Sequence, residues 1–114
     1  AFIVPSAEQI SACAEIGCDA VELHTGMYAN AETDAKIEEE IAALKSAKDL
    51  ALQKQLIVHA GHGLTYRNIA AVAGIEDICE FNIGHSIIAR STMVGIREAT
   101  ERMIELIDKH SPKL

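Results

Sequence analysis

Three apolar runs in this 114-residue chain end alike: "VELHTG", "LIVHAGHG" and "EFNIGH". Each passes from aliphatic residues to polar ones and then to glycine. Longer segments with apolar residues three to four apart lie between them. Short strands alternating with helices in this way require parallel strands joined by right-handed crossovers.

The elements follow from local signals. "AFIV" is a short strand closed by Pro5. Ser6 with Gln9 three places on forms a capping box that starts a helix carrying Ile10, Cys13 and Ala14 inward, and Gly17 stops it. "DAVELHTG" is a second strand running into a loop. A long helix is expected over 31–53, capped by Asn30, with "KIEEE" as its solvated face. "QLIVHAG" is the third strand. "TYRNIAAVAG" holds a short helix with Ile69 and Val72 inward, and "ICEFNIG" is the fourth strand. "HSIIAR" is expected to form a brief helix. A last helix is expected over 92–109, buried along Met93, Ile96, Thr100, Met103 and Ile107, before a frayed tail "HSPKL".

The order is therefore βαβαβαβα. Two architectures accommodate four such units: a small doubly wound sheet, or half of a parallel (β/α)8 TIM barrel, about 250 residues when whole. The chain opens inside a strand without an initiator Met, and a short extra helix follows the fourth strand. Both favour the half barrel. The expectation is that residues 1–114 form its C-terminal half and that the N-terminal half lies outside this sequence.

Charge and composition narrow the partners. The formal net charge is −7 and no Lys/Arg cluster occurs, so a nucleic-acid partner is not expected. No apolar run approaches a membrane span, and no signal-peptide pattern is present. Cys13, Cys18 and Cys79 form no C-x-x-C pair. They read as reduced, mostly buried thiols of a cytoplasmic protein.

In parallel α/β folds, the C-terminal ends of strands and the loops after them build the active site. Strand alternation puts Val21 and Leu23 toward the helices, and Glu22 and His24 on the opposite face. Glu80 and Asn82 likewise share a face opposite Cys79, Phe81 and Ile83. These polar groups read either as a satisfied internal network or as a site. His62 stands between Gly61 and Gly63, where a ligand can come close to the backbone, and its ring suits proton transfer near neutral pH. Gly84, His85 and Ser86 open a helix whose free N–H groups suit an anion, with the Gly63 N–H able to close the cradle. His24, His59, His62, His85 and Glu22 could supply metal ligands, but their spacing follows strand periodicity rather than a metal motif. No metal site is expected.

At "VELHTGMYA", "HAGHGLTYRNI" and "EFNIGHSIIARS" the chain resembles the pyridoxine 5′-phosphate synthase family, over essentially its whole length but only the second half of that family's barrel. The resemblance implies condensation of 1-deoxy-D-xylulose 5-phosphate with 3-amino-2-oxopropyl phosphate to pyridoxine 5′-phosphate, phosphate and water. It implies no metal or organic cofactor, and a cytoplasmic homo-octamer. It places transition-state support on Glu22 and proton donation on His62. It places binding of the aminoketone phosphate on Gly63, Gly84 and His85. A further catalytic His and Glu, and most of the deoxyxylulose phosphate site, belong to the family's first half, so residues 1–114 alone are expected to be inactive. Two other readings stand beside this one: a non-catalytic half barrel that assembles with another chain, and a metal-dependent aldolase-like barrel. Turnover separates the first from an enzyme. Elemental analysis and chelation separate the second.

Overall fold

Alternation along the strands decides what the sheet buries. In a computed structural model that describes residues 1–113, Val21, Leu23, Val58 and Ala60 are completely buried on one face. They sit on β2 (Ala20–His24) and β3 (Ile57–Gly61), between β1 (Phe2–Ile3) and β4 (Glu80–Asn82). Burying each large aliphatic side chain contributes roughly 1.5–3 kcal/mol. The intervening residues lie on the other face, which is open: Phe2 is 54% exposed and Ile57 49%.

All strands are parallel, and their order is β1-β2-β3-β4. Each strand pairs with its sequence neighbour. With right-handed crossovers and no reversal of order, successive helices fall on the same side of the sheet. A doubly wound sheet instead reverses its order and covers both faces. Within residues 1–113 there is no reversal, and one face stays uncovered.

The helices match their sequence signals in part. In α1 (Ala7–Glu15) the Gln9 N–H donates to Ser6 Oγ at 3.4 Å. The Gln9 side chain does not return to Ser6. Its Oε1 accepts from the Val4 N–H at 3.1 Å and so holds the end of β1 to the helix. The expected long helix begins later than residue 31: α3 spans Asp34–Gln53, and Thr33, not Asn30, caps it by accepting from the Lys36 N–H at 3.1 Å. Asn30 instead ends a four-residue helix, α2 (Gly26–Ala29), where a loop was expected. The "KIEEE" stretch is not solvated throughout. Glu40 is buried and pairs with Lys36 at 3.1 Å, and this bond, with Glu39 adding to it, raises the Lys36 pKa.

After β3, α4 (Ile69–Ala73) buries Ile69 and Val72 as expected. The "HSIIAR" helix is longer than expected: α5 runs His85–Val94. Gly95, at φ +87°, breaks the chain before α6 (Ile96–His110). Only a residue without Cβ takes that conformation cheaply. The break re-aims the apolar stripe, so Met93 (79% exposed) and Ile96 (57% exposed) face solvent, while Ala99 and Met103 carry the contact of α6 with the core. In the tail, His110 ends α6, and Ser111 is tied rather than frayed: its N–H and hydroxyl both donate to the Ile107 carbonyl. Leu114 of the expected frayed tail lies outside the described residues.

The cysteines are free: Cys13 is buried, Cys18 partly buried and Cys79 exposed, so the last departs from the expectation of burial. Burial, and then the neighbouring Cys18 thiol, pushes the Cys13 thiol pKa up. No helix among the described residues is long and apolar enough to cross a membrane.

The re-aimed stripe of α6 has a measurable consequence. Met103→Ala should lower stability by about 2–5 kcal/mol, as expected for a large core side chain. Met93→Ala should change it by less than about 0.5 kcal/mol. Denaturant unfolding of the two variants checks both values.

Candidate active site

The open face of the sheet carries two rows of side chains. Register places Phe2, Glu22, His59 and Glu80 side by side in one row, and His24, Gly61 and Asn82 in the next. His59 Nδ1 and Glu80 Oε1 lie 3.9 Å apart. Above the rows, at the C-terminal strand ends, opens a cleft of about 720 Å³. Glu22, His62, Gly63, Gly84 and His85 all line it. The cleft thus brings these five together, whereas His24, His59 and Glu80, also marked in the sequence, share the open face of the sheet but do not line the cleft. Phe2, Leu64, Thr65, Asn82, Ile83 and Ser86 complete the lining. Asn82 and Ser86 were marked by strand parity and by the helix start. Phe2, from a two-residue strand at the far edge, carried no chemical signal.

Gly61 makes room for the carboxylate of Glu22. A Cβ at position 61 would lie 2.1 Å from Glu22 Oε1 and 2.9 Å from the Asn82 carbonyl oxygen. The carboxylate thus leans up its strand, over the neighbouring backbone and into the cleft. The next residue turns sharply, and His62 has φ +86°. A side chain rarely adopts that region, and doing so costs of order 1–3 kcal/mol. Thr25, completely buried, helps hold it. Its N–H donates to the Gly61 carbonyl at 2.8 Å, and its hydroxyl lies 2.8 Å from the same carbonyl and 2.6 Å from that of His62. The Gly61 carbonyl already receives the N–H, so the single hydroxyl proton is available to His62.

A second set of bonds ties together two loops that line the cleft. The Ser86 hydroxyl donates to the Leu64 carbonyl at 2.9 Å, tying the start of α5 to the loop after β3. Asn68 shapes that loop from within. Its Nδ2 donates to the Gly63 carbonyl at 3.0 Å, and its Oδ1 accepts from the Thr65 N–H at 2.7 Å. The Asn68 carbonyl accepts from the Tyr28 hydroxyl, which connects the loop to α2, and burial raises the Tyr28 pKa. Gly63 has φ +76°, and a Cβ there would press against Ala29 at 2.7 Å. On α5 the first helical bond runs from the Ile88 N–H to the Gly84 carbonyl at 2.9 Å, so the N–H groups of His85, Ser86 and Ile87 precede it. No side chain caps this end.

Fold and cleft together define a parallel α/β chain with a carboxylate, imidazoles and uncapped helix N–H groups gathered at its strand ends. The chain belongs to the family described as pyridoxal phosphate biosynthesis protein PdxJ, whose model matches residues 1–109. It is similar to curated relatives that are themselves named pyridoxine 5′-phosphate synthase. The one from Sulfurihydrogenibium sp. (strain YO3AOP1) is 50% identical over 106 residues, covering 93% of this chain and 43% of the relative. Those from Trichlorobacter lovleyi and Magnetococcus marinus are 48% and 49% identical over 106 residues, each covering 93% of this chain and 44% of the relative. The chain spans less than half the length of the curated relatives it matches.

The Thr25 contact is open to direct measurement. Thr25→Val keeps the shape and removes the hydroxyl, leaving a strained carbonyl without its donor. Stability should fall by about 1–3 kcal/mol. Thr25→Ser keeps the donor and should recover most of the loss in the same denaturant titration.

Proposed function

We propose that residues 1–114 form the C-terminal half of a (β/α)8 barrel and supply part of the active site of a pyridoxine 5′-phosphate synthase. The reaction is the condensation of 1-deoxy-D-xylulose 5-phosphate with 3-amino-2-oxopropyl phosphate, in the cytoplasm and in a homo-octamer. The observation that carries this reading is the convergence of Glu22, His62, Gly63, Gly84 and His85 on one cleft at the C-terminal strand ends. The unreversed strand order supports the barrel, and so does the open polar face. The length of the relatives leaves room for four further units.

The chemistry asks for what the cleft holds. An amine and a ketone condense through imines, with loss of water and of phosphate, and each step needs a proton delivered or removed. His62 is the donor: its imidazole stands at the mouth of the cleft on backbone that Thr25 fixes. Glu22, seated over Gly61, offers negative charge to a cationic imine-like intermediate. The phosphate of the aminoketone lies against the N–H groups at the start of α5 and the N–H of Gly63, where unsatisfied donors and the helix dipole favour an anion. The space above Gly84 fits that reading. A Cβ there would meet no atom of the chain within 4 Å, so the chain's own packing does not call for glycine at this position. The backbone there stands open to an approaching ligand. Neither a metal nor an organic cofactor enters these steps.

Three measurements test the reading. In the complete barrel, His62→Asn should leave folding intact and lower turnover by about 10²–10⁴. Near-normal turnover in a well-folded variant would remove His62 from the reaction. A crystal structure with phosphate or the aminoketone phosphate should show an anion within hydrogen-bond distance of the N–H groups of Gly63, Gly84 and His85. An anion bound only elsewhere, with this junction empty, counts against the cradle.

The 114-residue chain alone, given both substrates, should form no pyridoxine 5′-phosphate above background. It would anchor one reactant and leave the other free, and orienting two reactants is worth about 7–11 kcal/mol at best. Product from the chain alone would overturn the half-barrel reading. It would equally overturn the view that essential groups lie outside these residues.

A further inference from the structure

The end of β2 carries a second imidazole that the proposed reaction leaves without a role. The centroid of the His24 ring lies 4.5 Å from that of His62, with 37° between the ring planes. Phe2 stacks against His24 at 4.8 Å and 19°, and lies 6.4 Å from His62. The three rings form a cluster fed by three different segments: β1, β2 and the loop after β3.

His24 is the fixed member of that cluster. Its Nδ1 accepts from the Gly26 N–H at 2.9 Å. An amide N–H can only donate, so this bond places the ring proton of His24 on Nε2. Gly26 is buried and shaped to the arrangement. A Cβ there would fall 2.3 Å from His24 Cε1, 2.9 Å from Nδ1 and 3.1 Å from His62 Cδ2. His62 is the opposite case. It is exposed, flanked by glycines, and no side-chain hydrogen bond holds its ring among the described residues. An imidazole so placed samples several rotamers unless something limits it, and a proton donor must meet its target in one geometry.

We propose that His24 is the positioning residue of His62: bonded to the Gly26 N–H and backed by Phe2, its ring sets where the His62 imidazole stands over the cleft. The proposal rests on the reading of His62 as the proton donor. The other titratable groups near His62 are Glu22, which leans over Gly61 from β2, and His85, which lines the same cleft from α5. Among the described residues neither forms an ion pair or a ring contact with His62, whereas His24 lies ring to ring with it.

The test uses the complete protein, both substrates and three variants. His24→Ala removes the contact and should lower kcat by about 10- to 100-fold, the scale of a misplacement of about 1 Å. KM for the aminoketone phosphate should change little, because the phosphate cradle is untouched. His24→Phe keeps a ring beside His62 and should recover most of the loss, although it cannot accept from Gly26. NMR of the imidazoles should show His24 in the Nε2-protonated form, and the His62 ring-proton resonances should move in His24→Ala and largely return in His24→Phe.

Wild-type kcat in His24→Ala, with His62→Asn strongly impaired, overturns the positioning role alone. So do equal losses in His24→Ala and His24→Phe that track a fall in thermal stability, which would mark a purely structural residue. Near-normal turnover in His62→Asn overturns the proton-donor reading, and the positioning role falls with it.

Discussion

A strand residue can face only one of two ways, and this constraint organises everything else in the chain. On β2, Val21 and Leu23 are driven into the apolar layer, which leaves Glu22 and His24 the opposite face. On β3, Val58 and Ala60 do the same and leave His59 and Gly61. Burial of the first set therefore fixes the positions of the second without any polar contact having to be strong. A register slip of one residue would put both carboxylate and imidazole into the core. The precision of the cleft is inherited from aliphatic side chains that never touch it.

Small residues then decide how far the polar side chains can reach. Gly61 lets Glu22 lean across the neighbouring strand. Gly26 lets the two imidazoles come together. Thr25 lies between these positions and joins the end of β2 to the turn after β3 through its N–H and its hydroxyl. The strained backbone of His62 is tolerable because both neighbouring carbonyls lie within reach of one buried residue.

Much of this was legible in the sequence. The four strands, their parallel sense, the facing of Val21 against Glu22 and the polar part of the cleft, from Glu22 and His62 to Gly84 and His85, follow from alternation and from polar residues and glycines at strand ends. What was not legible has physical reasons. The helix α2 has four residues, too few for a periodic stripe, so Asn30 looked like the start of the following helix when it ends the preceding one. The break at Gly95 separates two stretches that each look helical, and their apolar residues read as one continuous stripe through Met93 and Ile96. The left-handed backbone of His62 has no sequence mark of its own, because its glycine neighbours supply the usual signal for such turns. The ring cluster joins residues from distant parts of the chain, and no local pattern reports a contact of that kind.

The strand order has a consequence for how the chain acquires its shape. Each strand binds the one made just before it, and none has to be inserted between two that are already paired. Every pairing closes a loop of a single strand–helix unit, so the entropy lost at each step stays modest and grows only slowly with the length of the intervening segment. A chain with this order can be laid down from its amino end as the ribosome makes it, each unit docking on a template that is already in place.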